Sequence, residues 1–165
     1  MPAPTHVVPY DPSWPARFAE ERTTLARVLA PWLAGPIEHI GSTAVPGLLA
    51  KPIVDLMVGL PELSPSIRLP DYEACGEAGV PGRLYFRKRG NAAAFNAQVV
   101  IKDGPLWRDA LVFRDYLRAY PDEAARYAGA KRSAIESGAN LLHAYSSRKA
   151  PLLLEILERA RSSPR

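Results

Sequence analysis

The chemistry-bearing residues gather in one stretch. In Ile40-Gly41-Ser42-Thr43 a short apolar run delivers the chain to a glycine followed by two hydroxyl side chains, and Asp55 interrupts the apolar run Pro52-Ile53-Val54-Asp55-Leu56-Met57-Val58 thirteen residues beyond Ser42. A glycine lets a ligand approach the backbone. Successive N–H groups with the Ser42 and Thr43 hydroxyls can then hold phosphate oxygens, above all where a helical turn begins. Taken alone, Gly-Ser-Thr is equally an ordinary turn with an N-cap. Asp55 sharpens the choice, because an ionised carboxylate inside a buried strand costs several kcal/mol unless it is paired, hydrogen-bonded or bound to a cation. Its alternatives are an ion pair with Lys51, Arg87 or another base, or an exposed strand end. Strand alternation places Ile53, Asp55, Met57 and Gly59 on one face and Val54, Leu56 and Val58 on the other.

The elements that must position these residues follow from pattern. Asp11-Pro12-Ser13 opens a helix over 14–30 with Phe18, Leu25, Val28 and Leu29 towards one face, and Pro31 with Gly35-Pro36 ends it. Residues 37–40 predict a short strand, 43–52 a single helical turn among prolines, and 53–60 a central strand. A loop over 61–70 and a short helix over 71–79 capped by Asp71 come next. A hairpin pairs 83–88 with 94–101 across Arg89-Gly90-Asn91. Helices over about 105–119, 121–137 and 146–161 complete the chain. The sum is an α+β domain spanning 1–165, a small mixed sheet flanked by helices with a helical C-terminal third.

The helix over 105–119 carries Leu106, Ala110, Phe113 and Leu117 on an apolar stripe and Trp107, Arg114 and Arg118 on a neighbouring one. Arginines at i and i+4 can grip a phosphate bidentately, or bridge to Asp115, Asp122 or Glu123. Lys51, Lys131, Tyr145 and Lys149 are further candidates to line a cleft, Tyr145 and Lys149 sharing one helical face, although such side chains also pack and snorkel. His39, without a second histidine at ligand spacing, reads as structural, hydrogen-bonding in the sheet, with the cleft beside Asp55 as the alternative, and His143 reads as a loop residue.

The segments Ile37-Glu38-His39-Ile40-Gly41-Ser42-Thr43-Ala44-Val45-Pro46-Gly47-Leu48, Ala50 to Val58, and Phe113-Arg114-Asp115-Tyr116-Leu117-Arg118-Ala119-Tyr120-Pro121 with Tyr127, Lys131, Tyr145 and Lys149 closely resemble the signature of the GrpB family (UPF0157). The resemblance implies a nucleotidyltransferase-like fold. In active members of that wider superfamily the glycine-serine turn holds a triphosphate and carboxylates on the adjacent strand bind Mg²⁺. It therefore implies a nucleoside triphosphate or other phosphorylated ligand, with Mg²⁺ as cofactor and Asp55 as metal ligand and catalytic carboxylate. Gly41, Ser42, Thr43, Lys51, Asn96, Gln98, Arg114, Arg118, Lys131, Tyr145 and Lys149 are the implied ligand-binding set. Two departures weigh against chemistry. Met57 stands where the superfamily places a second carboxylate, and a thioether is no substitute for Mg²⁺. Asn96-Ala97-Gln98 stands where family members tend to show His-Leu-His, so two amides that donate and accept but do not titrate replace a potential acid–base or metal pair. A non-catalytic nucleotide- or anion-binding module, or an accessory interaction domain, is the alternative.

Composition bounds the partners. The net charge is +4, from 21 Lys and Arg against 17 Asp and Glu, which permits an anionic ligand. The excess gathers at Arg83, Arg87, Lys88 and Arg89, and at Lys131, Arg132, Arg148 and Lys149, without interleaved exposed aromatics, so nucleic acid is not the expected partner. A lone Cys75 and the absence of zinc spacing suit a reducing compartment. With no secretory leader and no run near roughly 20 apolar residues, the expectation is a soluble cytoplasmic protein without membrane association.

Overall fold

Asp11 starts the fold: its carboxylate accepts the Ser13 backbone N–H at 2.8 Å, and helix α1 (Trp14–Leu29) follows. The computed structural model describes residues 6–90, 93–136 and 142–163, with the surroundings of side chains 135 and 142–151 left aside. Trp14, Phe18, Glu21, Leu25 and Leu29 form the buried stripe of α1, at the three- and four-residue spacing of one helical face. Val28 lies off that stripe and is exposed. Glu21 is tolerated there because Lys88 Nζ donates to it at 3.0 Å and the Tyr72 hydroxyl at 2.9 Å.

Five strands follow: β1 (Glu38–Ile40), β2 (Val54–Leu60), β3 (Glu73–Ala74), β4 (Arg83–Arg89) and β5 (Ala94–Ile101). They form one open mixed sheet in the order β1-β2-β5-β4-β3, with β2 parallel to β5 and the other pairs antiparallel. Between β1 and β2 a 3-10 turn covers Ser42–Ala44. Then come α2 (Pro105–Ala119), α3 (Pro121–Glu136) and α4 (Leu142–Ser162). The α+β class and helical C-terminal third agree with the sequence pattern.

Residues 71–79 do not make the expected helix. Asp71, Gly76, Ala78 and Gly79 all adopt positive φ, which right-handed helices exclude, and the segment forms the short edge strand β3 and turns instead.

Register assigns the two faces. His39, Leu56, Val58, Phe86, Phe95, Ala97 and Val99 face α1 and the loop carrying Leu63, Leu69 and Tyr72, forming the main core. The opposite face presents Ile40, Asp55, Met57, Gly59, Asn96, Gln98 and Val100, and on β4 Arg83, Tyr85, Arg87 and Arg89. Helix α2 covers one part of it, Trp107 packing on Ile40, Met57 and Val100. Trp107, on the stripe of Arg114 and Arg118, is thus a core residue. Gly59 makes room for it, since a Cβ there would lie 2.8 Å from Trp107 Cζ3. A second cluster of Val45, Leu48, Leu49, Leu117, Tyr127, Ala128 and Ile156 ties α2, α3 and α4 to the loop after the 3-10 turn.

Candidate functional site

Strand β1 ends at Ile40, opposite Asp55, and the next residue turns the chain at φ 75° and ψ −169°, a combination open essentially to glycine alone. The Gly41 backbone approaches the Asp55 carboxylate so closely that a Cβ would sit 2.8 Å from its Oδ2. The turn and the carboxylate thus form one surface, as the family resemblance implies.

Asp55 is set in part by an amide. Its Oδ1 accepts Asn96 Nδ2 at 3.1 Å, and Asn96 Oδ1 accepts Arg89 Nη2 at 2.8 Å. A guanidinium one residue removed therefore supports the carboxylate through an amide, which fixes both the Asn96 orientation and the direction of Asp55. Gln98 is held alike, its Oε1 accepting Arg83 Nη1 at 3.1 Å.

Beneath the turn, Lys131 from α3 is buried and donates to Ser42 Oγ and, at 3.3 Å, to the Leu49 carbonyl, with its ammonium 4.7 Å from the Tyr127 ring centre. Tyr127 is hydrogen-bonded to the Ser42 side chain; burial pushes its hydroxyl up to about 12, a rise the Ser42 bond opposes and the Asp55 charge reinforces. Ser42, Tyr127, Lys131 and Asp55 therefore share one polar nest.

Thr43, Arg114 and Arg118 make contacts within the scaffold. The Thr43 hydroxyl is buried and hydrogen-bonded to His39 Nε2 at 2.9 Å, while the His39 ring stacks on Phe18. Burial, then the charges of Arg118 and Arg114, hold the His39 pKa down at about 4, so it is neutral at pH 7. Arg114 donates to Glu38 at 2.8 Å, to the His39 carbonyl at 3.1 Å and to Asp115 at 2.9 Å. Those bonds clamp α2 to β1. Arg118 Nε donates to the Ala44 carbonyl at 2.7 Å, closing the 3-10 turn and lining a pocket of about 750 Å³ on the far side of the Pro46–Leu49 loop, with Tyr10 and Arg132. Lys51 follows the backbone bridge of Val8 to Ala50. Tyr145 and Lys149 fall on α4, with side chains outside those described.

Sequence reasoning named Tyr127 in the family signature and Arg89 in the basic run without placing either at the site, and passed over Tyr85. Strand alternation over 83–89 was the available signal for Arg89 and Tyr85, since it puts every second residue on the face of Asn96 and Gln98. Tyr85 also supplies an aromatic to the basic run, with the Arg83 guanidinium 4.5 Å and that of Arg87 5.8 Å from its ring centre. Among the described residues no group of three or more His, Cys, Asp or Glu side chains could hold a metal. Glu38 is engaged by Arg114, and Met57 is 1% exposed under Trp107.

The family model described as GrpB protein matches residues 4–159. The chain belongs to the GrpB family. A crystal structure of the conserved protein GrpB from Enterococcus faecalis superposes with a TM-score of 0.77 at 30% identity, covering 93% of this chain and 98% of that one. The UPF0157 protein YqkA of Bacillus subtilis is 34% identical over 132 residues, 76% of this chain and 38% of its own length. A protein of Mycolicibacterium paratuberculosis named dephospho-CoA kinase is 29% identical over 191 residues, 96% of this chain and 46% of its own length. The GrpB chain thus spans less than half the length of either of these two curated relatives. Among the described residues no helix is long and apolar enough to cross a membrane.

Proposed function

We propose that this GrpB chain binds a nucleoside triphosphate or other phosphorylated ligand, its phosphate on the Gly41–Ser42 turn and one divalent cation, Mg²⁺, on Asp55. The observation that carries this is the Ser42 nest. A buried lysine ammonium donates to the hydroxyl that follows a glycine whose backbone lies against a carboxylate, which joins an anion-binding turn to a potential cation ligand. The relative named dephospho-CoA kinase lends weight, since its named substrate carries phosphate.

The donor set fits Mg²⁺ only in part. Magnesium keeps several waters and is held by one or two carboxylates together with substrate phosphates. Asp55 supplies one carboxylate, and the Asn96 and Gln98 carbonyl oxygens already accept from Arg89 and Arg83. Mg²⁺ would offset phosphate charge there and would be retained only with the ligand. A buried Met57 at the second-carboxylate position favours binding over two-metal nucleotidyl transfer.

Differential scanning fluorimetry with each of the four nucleoside triphosphates, with and without Mg²⁺, tests this. Nucleotide with Mg²⁺ raises the melting temperature, Mg²⁺ alone does not, and Asp55→Ala and Ser42→Ala abolish the rise. No rise with any triphosphate or with pyrophosphate would overturn the proposal. Pyrophosphate release with a candidate acceptor would show that the bound nucleotide is also transferred.

A further inference from the structure

Ile40, Asp55, Asn96 and Arg87 stand in one cross-strand row over β1, β2, β5 and β4. Neighbouring strands lie about 4.8 Å apart, so the row carries the Gly41 turn to Arg87 in three steps, roughly 14 Å. The middle of the row is polar, with Asp55 and Asn96 bonded to each other and Asn96 to Arg89. At its far end, no carboxylate among the described residues forms an ion pair with Arg87 or Arg89. Arg83 is tied to Gln98 and to the Glu77 and Ala78 carbonyls, and Arg89 to Asn96 and to the Lys88 and Phe95 carbonyls, whereas Arg87 makes no side-chain hydrogen bond or ion pair among the described residues. Arg89 Nε is buried without a hydrogen-bond acceptor, a state that native structures seldom leave unexplained. Burial lowers the Arg89 pKa, Tyr85 opposes that, the neighbouring charge of Arg87 adds to it and the Asp55 charge opposes it again. Two half-buried guanidiniums thus stand side by side on an open sheet face, Arg87 opposite Glu73 on β3 without an ion pair to it and Arg89 joined to Asp55 through Asn96.

We infer that Arg87 and Arg89 receive a second anionic group of the ligand, so that the cleft selects an elongated polyanion anchored on the Gly41–Ser42 turn and reaching β4, over a compact phosphate. This rests on the phosphate-binding reading of the turn. A ligand with its charge at one end fills the turn alone, whereas one with anionic groups some 14 Å apart engages both seats. Charge-assisted hydrogen bonds to the far group would tighten binding about tenfold to a hundredfold.

Inorganic polyphosphates of graded length serve as a ruler. Isothermal titration calorimetry of the full chain in Mg²⁺-containing buffer at fixed ionic strength compares orthophosphate, pyrophosphate and chains long enough to span the row. Long chains should bind at least tenfold tighter than pyrophosphate. Arg87→Gln should remove that gain and leave pyrophosphate affinity unchanged, Arg87→Lys should restore part of it, and Arg27→Gln, which removes the same charge from the exposed back of α1, should leave the gain intact. Equal losses in Arg27→Gln and Arg87→Gln would overturn the inference by showing a net-charge effect. So would affinity independent of length while pyrophosphate still binds in a Ser42-dependent way, an outcome that spares the turn. Long-chain binding unaffected by Ser42→Ala would refute the spanning arrangement, and failure of every chain to bind would sink both proposals.

Discussion

Gly41→Ala tests the contact on which the candidate site is built. At φ 75° and ψ −169° an alanine backbone is strained by about 1–3 kcal/mol. Its Cβ would lie 2.8 Å from Asp55 Oδ2 and 3.5 Å from Asp55 Cβ and Cγ. The carboxylate would have to turn away and give up the Asn96 bond at 3.1 Å, and a hydrogen bond to a charged group contributes about 1.5–3 kcal/mol. Together the two effects amount to roughly 2–5 kcal/mol, discounted at the upper end because Asp55 is partly solvated. For a chain of this size each kcal/mol lowers the melting temperature by about 2–4 °C, so a fall of roughly 4–20 °C is expected by differential scanning calorimetry. The steric part is separable. In a double-mutant cycle with Asp55→Ala, the double variant should be more stable than the sum of the singles by about 1 kcal/mol or more. A melting temperature within about 1 °C of the parent, or strict additivity, would refute the claim that the turn and the carboxylate form one surface.

Three further outcomes follow from the same geometry. His39 has its pKa held at about 4 against 6.5, so the unfolded chain takes up the proton more readily. The stabilisation is complete above about pH 6.5 and is lost as pH falls towards 4, by an amount on the order of 3 kcal/mol; urea denaturation of parent and His39→Gln across that window should show a smaller loss in the variant. Arg114→Met strands Glu38 and the His39 carbonyl and should lower urea-determined stability by about 1–3 kcal/mol, with little dependence on salt because Arg114 is only 12% exposed. Met57→Asp should destabilise the fold by several kcal/mol in the same assay and leave Mg²⁺ affinity, measured by calorimetry, unimproved, since the new carboxylate would be buried beneath Trp107.

The chain alone determined where to look. Gly41 before two hydroxyls, and a carboxylate in an apolar strand, are local signals whose cost or benefit depends on a few neighbouring residues, so they were legible without coordinates. So were the hairpin and the helices, whose periodicity repeats over many positions. The helix expected over 71–79 failed because positive φ at four positions is set by how that segment closes against β4. Tertiary structure decided the partners. Which amide faces Asp55, that Arg89 stands behind it, that Arg114 clamps β1, and that Met57 lies under Trp107 all depend on strand order and register between segments distant in the chain. An arginine in a sequence carries a fixed charge, but whether that charge holds the scaffold together or awaits an anion depends on which oxygen the fold brings within about 3 Å of it.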